Sequence, residues 1–374
     1  VATVGFRSPS AQTVYAAASA REPGDYRLGV DAICDVPGDA STTVTLRPNE
    51  DRHGRIDYPG DEDWFRFEAC SGRTYVFTLE PHASPVDVRW DNATVMLYDA
   101  AGALLGVGEG RWGASALVGF RATSNETVYA AVTHWEPGNY QLGVESMCDV
   151  PGDASTRATL HLDRDRHNRV DFPGDEDWFR FEACGGQTYL VTMATDSAAA
   201  GPLEFPELVL YDVHGHALTS TFGYDERPAV LGFRAAVDTT FYAAATSWDV
   251  DGYAIEQPGD YVIGIDRICD VAGDASTAAT LRLDRDRRNR IDYLGDEDWF
   301  RFEVADRRTY VVTLGGEEGG DVAPRDVELI LYDAAGNVIA GVSVVTGEPR
   351  RVGYEAAGEA TLFAAAAGRW ETGA

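Results

Sequence analysis

Apolar and polar residues alternate one by one along short stretches of this chain. From Trp64 to Glu68, Phe65 and Phe67 fall on one face while Trp64, Arg66 and Glu68 fall on the other. That period of two is the mark of a β-strand with one buried face. Tyr75, Phe77 and Leu79 continue the pattern, and Met96 to Gly102 reads as a strand running into a tight turn, with Gly102 suited to a positive φ. Three further strand-like runs lie between Val118 and Val144. No convincing amphipathic helix interrupts them. Seven or eight short strands in about 115 residues predict a β-sandwich.

The pattern recurs. Pro59 to Cys70 and Pro173 to Cys184 carry the same dozen residues, and Leu294 to Ala305 carries a close variant. Asp63, Asp177 and Asp298 mark the register, 114 and 121 residues apart. A period of this length is a domain rather than a solenoid turn. The expected organisation is a partial repeat at 1–31 made of closing strands only, then sandwiches at 32–146, 147–267 and 268–374, the third lacking its last strand. The extra residues of the second sandwich fall near Asp249 to Gln257. The fold class is therefore all-β, with tandem jelly-roll-like antiparallel sandwiches. Incomplete ends expose strand edges, which points to a cut array or to copies that complete one another by strand donation.

Composition narrows the partners. The 374 residues carry a net charge of −30, and all 31 basic residues are arginine. Such a chain repels nucleic acid and anionic membranes and attracts cations. No apolar run is long enough to span a bilayer.

Five cysteines add a constraint. Cys34 and Cys70 are 36 residues apart, as are Cys148 and Cys184, whereas Cys269 meets Ala305 at that spacing. Equal spacing predicts one disulfide per repeat, Cys34–Cys70 and Cys148–Cys184, with Cys269 left over, either buried and free or joined to another chain. Each bond would contribute roughly 3–4 kcal/mol in the chain-entropy view and would place the chain outside the cytoplasm, extracellular or at the cell surface.

The ordered motifs carry a resemblance. Gly60 to Phe67, then the Gly-x-Thr-Tyr stretch ending at Tyr75, then Leu97 to Gly102, then the strand from Gly138 to Val144 together resemble the bacterial pre-peptidase C-terminal domain family. The collagen-binding domains of clostridial collagenases are similar to that family. The resemblance implies a jelly-roll-like sandwich, frequently calcium-bound, appended to secreted enzymes or strung along surface proteins, with no catalysis of its own.

Asp61 and Asp63 sit two apart at the head of a strand, so their side chains project to one side. Calcium takes hard oxygen ligands of this kind, and the resemblance places calcium at this end of the fold. The candidate ligands are Asp61 and Asp63, Asp175 and Asp177, and Asp296 and Asp298, with Asp39, Asp153 and Asp274 upstream as further candidates. The competing reading is a solvated acidic turn in which Asp63 caps backbone amides. The run from Asp163 to Arg169 imitates a helix-loop-helix calcium loop but lacks its glycine and its bidentate glutamate. It reads as a charged turn. Trp64, Trp178 and Trp299 read as packing residues rather than ligand platforms.

Nothing in the sequence predicts an enzyme. His53 and His167 recur, but Arg288 replaces them in the third repeat, and no nucleophile elbow, metalloprotease helix or phosphate loop is present. Two non-catalytic functions remain. One is an extracellular structural array, a rod, appendage or filament stiffened by calcium and disulfides. The other is a tether that attaches a secreted hydrolase to collagen, polysaccharide or a cell surface.

Overall fold

The computed structural model describes residues 3–8, 10–82, 92–111, 114–224, 227–248, 258–315, 327–342 and 349–368. The chain divides into two compact units, residues 1–149 with 171–175, and residues 150–170 with 176–374.

In the first unit the alternation becomes eight strands: β1 (Arg52–Ile56), β2 (Glu62–Ala69), β3 (Thr74–Pro81), β4 (Thr94–Asp99), β5 (Leu104–Glu109), β6 (Ala116–Arg121), β7 (Glu126–Thr133) and β8 (Gly138–Met147). They pair antiparallel as β1-β8-β3-β6 and β2-β7-β4-β5, the strand order of an eight-stranded jelly roll. Phe65 and Phe67 of β2 face Tyr75, Phe77 and Leu79 of β3 across a core in which each is buried. The Phe67 ring meets Tyr75 and Phe77 edge-on at 4.8 and 5.4 Å. Burying each such side chain contributes about 1.5–3 kcal/mol. On the outer face of β2, Arg66 and Glu68 pair in solvent at 2.6 Å, which adds little.

The second unit repeats the plan. Its first sandwich contains β9 (Arg166–Val170), β10 (Asp177–Ala183), β11 (Thr188–Thr195), β12 (Pro206–Tyr211), β13 (Ala217–Phe222), β14 (Ala229–Arg234), β15 (Thr239–Ser247) and β16 (Gly259–Ile268). The sheets are β14-β11-β16-β9 and β10-β15-β12-β13, the same jelly-roll order. The third repeat contains β17 (Glu297–Val304), β18 (Thr309–Leu314), β19 (Val327–Tyr332), β20 (Val338–Val342), β21 (Arg350–Glu355) and β22 (Ala360–Gly368). One of its sheets, β17-β22-β19-β20, is complete, while β18 and β21 stand as a pair. Among the described residues, nothing fills the places that β1 and β8 hold in the first sandwich.

Several expectations are corrected or qualified. The early segment, whose sequence matches β7 and β8, forms no strand over its described residues, and Tyr15, Tyr26 and Val30 are exposed. A strand needs a neighbour to pair with and a face to bury, and this segment has neither here. The insertion near Asp249 to Gln257 and the chain end from Trp370 lie outside the described residues. The turn at Asp163 is a tight charged turn, with φ of 58° and a bridge from His161 to Arg164.

None of the predicted disulfides is present in this structure. Cys34, Cys70, Cys148 and Cys184 are all unbonded and exposed, and Cys269 is exposed rather than buried. For Cys34 and Cys70 the reason is geometric. Cys34 precedes Asp35, whose carboxylate lies within 4.8 Å of that of Asp61, just before β2 begins. Cys70 lies just past the other end of that strand. Eight extended residues span about 26 Å, whereas bridged cysteines need Cα atoms within about 7 Å.

Candidate metal centre

The first repeat brings carboxylates together where its head loop, the end of its first strand and the start of its second converge. In the first repeat Asp35, Asp57 and Asp61 each offer an oxygen, all within 4.8 Å of one another. Asp63, the first inward-facing residue of β2, lies beside them, close enough for the charges of Asp61, Asp35 and Asp57 to act on it. In the second unit Asp270, Asp292 and Asp296 form the matching set, with Asp298 next along the strand. Asp149 and Asp175, both in the first unit, also offer oxygens within 4.8 Å of each other.

Partners of these groups recur. Oδ2 of Asp61 accepts the Asp57 amide at 2.8 Å, and the Asp171 and Asp292 amides donate to Asp175 and Asp296 at 2.7 Å. The Tyr140 hydroxyl, from the middle of the core, donates to Oδ2 of Asp63. Tyr261 does the same for Asp177 at 2.6 Å, joined by Asn168 at 2.8 Å. In the third repeat Asn289 lies beside Asp298 and partly offsets the effect of its burial. Arg55 pairs with Asp57 at 3.0 Å, and Arg290 with Asp292 at 3.6 Å.

These partners do not satisfy the cluster. Oδ1 of Asp63, Asp270, Asp296 and Asp298 is buried with no hydrogen-bond partner. Asp61, Asp63, Asp296 and Asp298 are each only 1% exposed. Burial, with repulsion from neighbouring carboxylates, pushes Asp63 and Asp298 up to about 7 and Asp296 up to about 6. Burial likewise raises Asp35, Asp61 and Asp270. Buried anions without donors are costly. The donor set fits a hard divalent cation, because two oxygens each about 2.4 Å from one calcium ion lie no more than about 4.8 Å apart.

Asp39, Asp153 and Asp274 stand apart from these groups. Their Oδ1 atoms accept the amides of Ser41, Ser155 and Ser276 at 2.8, 2.7 and 2.7 Å. Those bonds hold Asp39 and Asp274 below the usual carboxylate range. Asp274 still lines, with Arg234, Asp270 and Tyr293, a hollow of about 270 Å³ beside the third cluster. The upstream residues missed by sequence reasoning are Asp35, Asp57, Asp270 and Asp292. Their signal was present, since Cys-Asp recurs at each head and an apolar-Asp-aromatic triplet follows in each repeat, Ile-Asp-Tyr in the first and third and Val-Asp-Phe in the second.

Two neighbours frame the site. A glycine of an earlier segment lies against the aromatic residue of the acidic turn: Gly5 over Tyr58, Gly119 over Phe172 and Gly232 over Tyr293. A Cβ on any of them would lie about 2.0–2.3 Å from ring atoms. On the outer face Trp64 stacks on Tyr98 at 4.7 Å, and Trp178 and Trp299 stack on Tyr211 and Tyr332 at 4.0 Å. Each indole N–H donates to the preceding glutamate, Glu62, Glu176 or Glu297. The tryptophans are packing residues.

No family model and no curated protein matches this chain. Among solved structures it is similar to the pre-peptidase C-terminal domain of a Bacillus anthracis collagenase, at 16% identity and a TM-score of 0.23, covering 27% of this chain and 93% of that one. It is also similar to the M60 catalytic domain with two CBM51 domains of Clostridium perfringens ZmpB, at 7% identity and a TM-score of 0.19, covering 59% and 38%. The CUB1-EGF-CUB2 region of rat MASP-1 matches at 10% identity and a TM-score of 0.16, covering 59% and 99%. No helix among the described residues is long and apolar enough to cross a membrane.

Proposed function

We propose that this chain is a non-catalytic extracellular array of β-sandwich modules of the pre-peptidase C-terminal type, in which calcium seats at the head of each sandwich and stiffens a structural rod, appendage or filament. The supporting observation is the recurrence of a buried acidic cluster, with oxygens lacking partners, in the first and third repeats. Repeats kept alike serve length or avidity, whereas a single reactive centre needs only one copy. Calcium would be held by Asp35, Asp57, Asp61 and Asp63 in the first repeat and by Asp270, Asp292, Asp296 and Asp298 in the third. The ion would supply the positive charge that these groups lack and tie the head loop to the second strand.

The test is thermal unfolding in calcium against chelator, with particle size followed by light scattering. A calcium-dependent rise in Tm, together with growth into fibres, supports the reading. A stable monomer with no calcium shift sinks it. Tethering to collagen or polysaccharide is the second reading, and Trp135, 79% exposed on the loop between β7 and β8, favours it as a flat aromatic surface for a ligand. It requires binding to an immobilised matrix that Trp135→Ala abolishes.

A further inference from the structure

We infer that the disulfides of this chain run from the end of the second strand to the end of the eighth strand of one sandwich, Cys70 to Cys148 and Cys184 to Cys269, leaving Cys34 as the unpaired thiol. The strand register carries the argument. Met147, the last residue of β8, pairs with Thr74, the first residue of β3. Continuing that register by one residue sets Cys148 opposite Arg73, with Cα atoms about 5 Å apart. The Arg73 amide closes a turn on the Cys70 carbonyl at 3.3 Å, and such a turn holds its end residues within about 7 Å. Both thiols are exposed at one end of the sandwich.

Side chains fix both partners there. The Tyr75 hydroxyl, reaching from β3, accepts the Cys70 amide at 2.9 Å. Thr74 donates to Asp149, the residue after Cys148, at 3.0 Å. Arg73 donates to Ser146, two residues before it, at 3.3 Å.

The second sandwich repeats the register, the turn and the tyrosine clasp. Ile268 pairs with Thr188, so Cys269 falls opposite Gln187, whose amide closes the turn on the Cys184 carbonyl at 3.2 Å. Tyr189 takes the Cys184 amide at 2.9 Å. The third repeat has Ala305 at the position of Cys70, and no cysteine follows Cys269. The tyrosine clasp persists there, from the Ala305 amide to Tyr310 at 2.8 Å. Equal spacing in the sequence hid this arrangement, because each boundary cysteine ends one sandwich as it opens the next.

The chemistry is ordinary exchange. Two thiols react with a small-molecule disulfide such as oxidised glutathione. One protein S–S bond forms, and two molecules of reduced glutathione carry away the electrons and protons. The bond would staple the two sheets at the strand that leads directly into Asp149 or Asp270.

Peptide mapping tests the assignment. The chain is oxidised in a glutathione buffer, blocked with iodoacetamide and cleaved with trypsin without reduction. Cleavage after arginine places all five cysteines on separate peptides. The expected result is the peptide 67–73 linked to 122–157, the peptide 181–234 linked to 268–282, and Cys34 alkylated on the peptide 28–52. In Cys148→Ser, Cys70 becomes alkylated while the second link survives. Linkage of 67–73 to 28–52, or five alkylated cysteines after oxidation, overturns the inference.

Discussion

The two ends of the second strand solve opposite problems with the same kind of residue. At its far end, the Cys70 amide and the turn beyond it are satisfied by the protein's own groups, including the Tyr75 hydroxyl. At its near end another core tyrosine, Tyr140, reaches Asp63, yet an Asp63 oxygen stays buried without a donor. One end is finished by the chain itself and the other has the donor set of a cation site. The difference teaches that a repeated acidic motif means more when its oxygens are buried and unsatisfied than when they are merely numerous. Asp39, equally acidic, faces solvent and is spent on the Ser41 amide.

The comparison can be broken from the core outward. Phe179→Ala, at a fully buried site, should cost about 3–5 kcal/mol in calcium and in chelator alike, as read by denaturant midpoints. A large calcium dependence of that loss would mean that core and site are not separable. Gly232→Ala forces a methyl group into the Tyr293 ring beside the third cluster and should cost about 1–3 kcal/mol.

The most discriminating substitutions are Asp298→Asn and Asp63→Asn. In chelator they remove a buried charge whose ionisation is already resisted, so Tm should hold or rise. In calcium the same variants should lose most of the metal-induced gain. Opposite signs in the two buffers sharpen the contrast between the ends, and a loss in both would assign these residues to packing alone.

Acidity reads out the same groups. The folded-state values of Asp63 and Asp298 are raised to about 7, above the ordinary carboxylate near 3.9. The folded form therefore binds protons more tightly than the unfolded form, and the associated stability is present below about pH 4 and lost as pH climbs towards about 7. Chelated protein should show Tm declining across that interval from these groups, and calcium should flatten the decline. At the satisfied end, Tyr75→Phe removes one hydrogen bond and should cost about 0.5–1.5 kcal/mol with no calcium dependence.

Much of this was legible in the sequence because strands announce themselves by a period of two. Phe65, Phe67, Tyr75 and Phe77 marked the core, and the alternation turned into eight strands with the jelly-roll order. Asp61 and Asp63 were legible because they sit two apart where one strand starts. Asp35 and Asp57 were not, since the site joins three stretches that only the folded chain brings together, and the head loop spends Asp39 on its own turn. The early segment kept strand-like residues without becoming strand, because pairing is a property of the neighbour as much as of the sequence.

Calorimetric unfolding of the whole chain with calcium, set beside chelator and beside Asp63→Asn and Asp298→Asn together, tests the central claim most directly. The account predicts a rise in Tm for the native chain, about 2.7 kcal/mol per site at a hundredfold excess of calcium over Kd, that shrinks in the doubly substituted chain. Identical Tm in calcium and chelator for the native chain would contradict it.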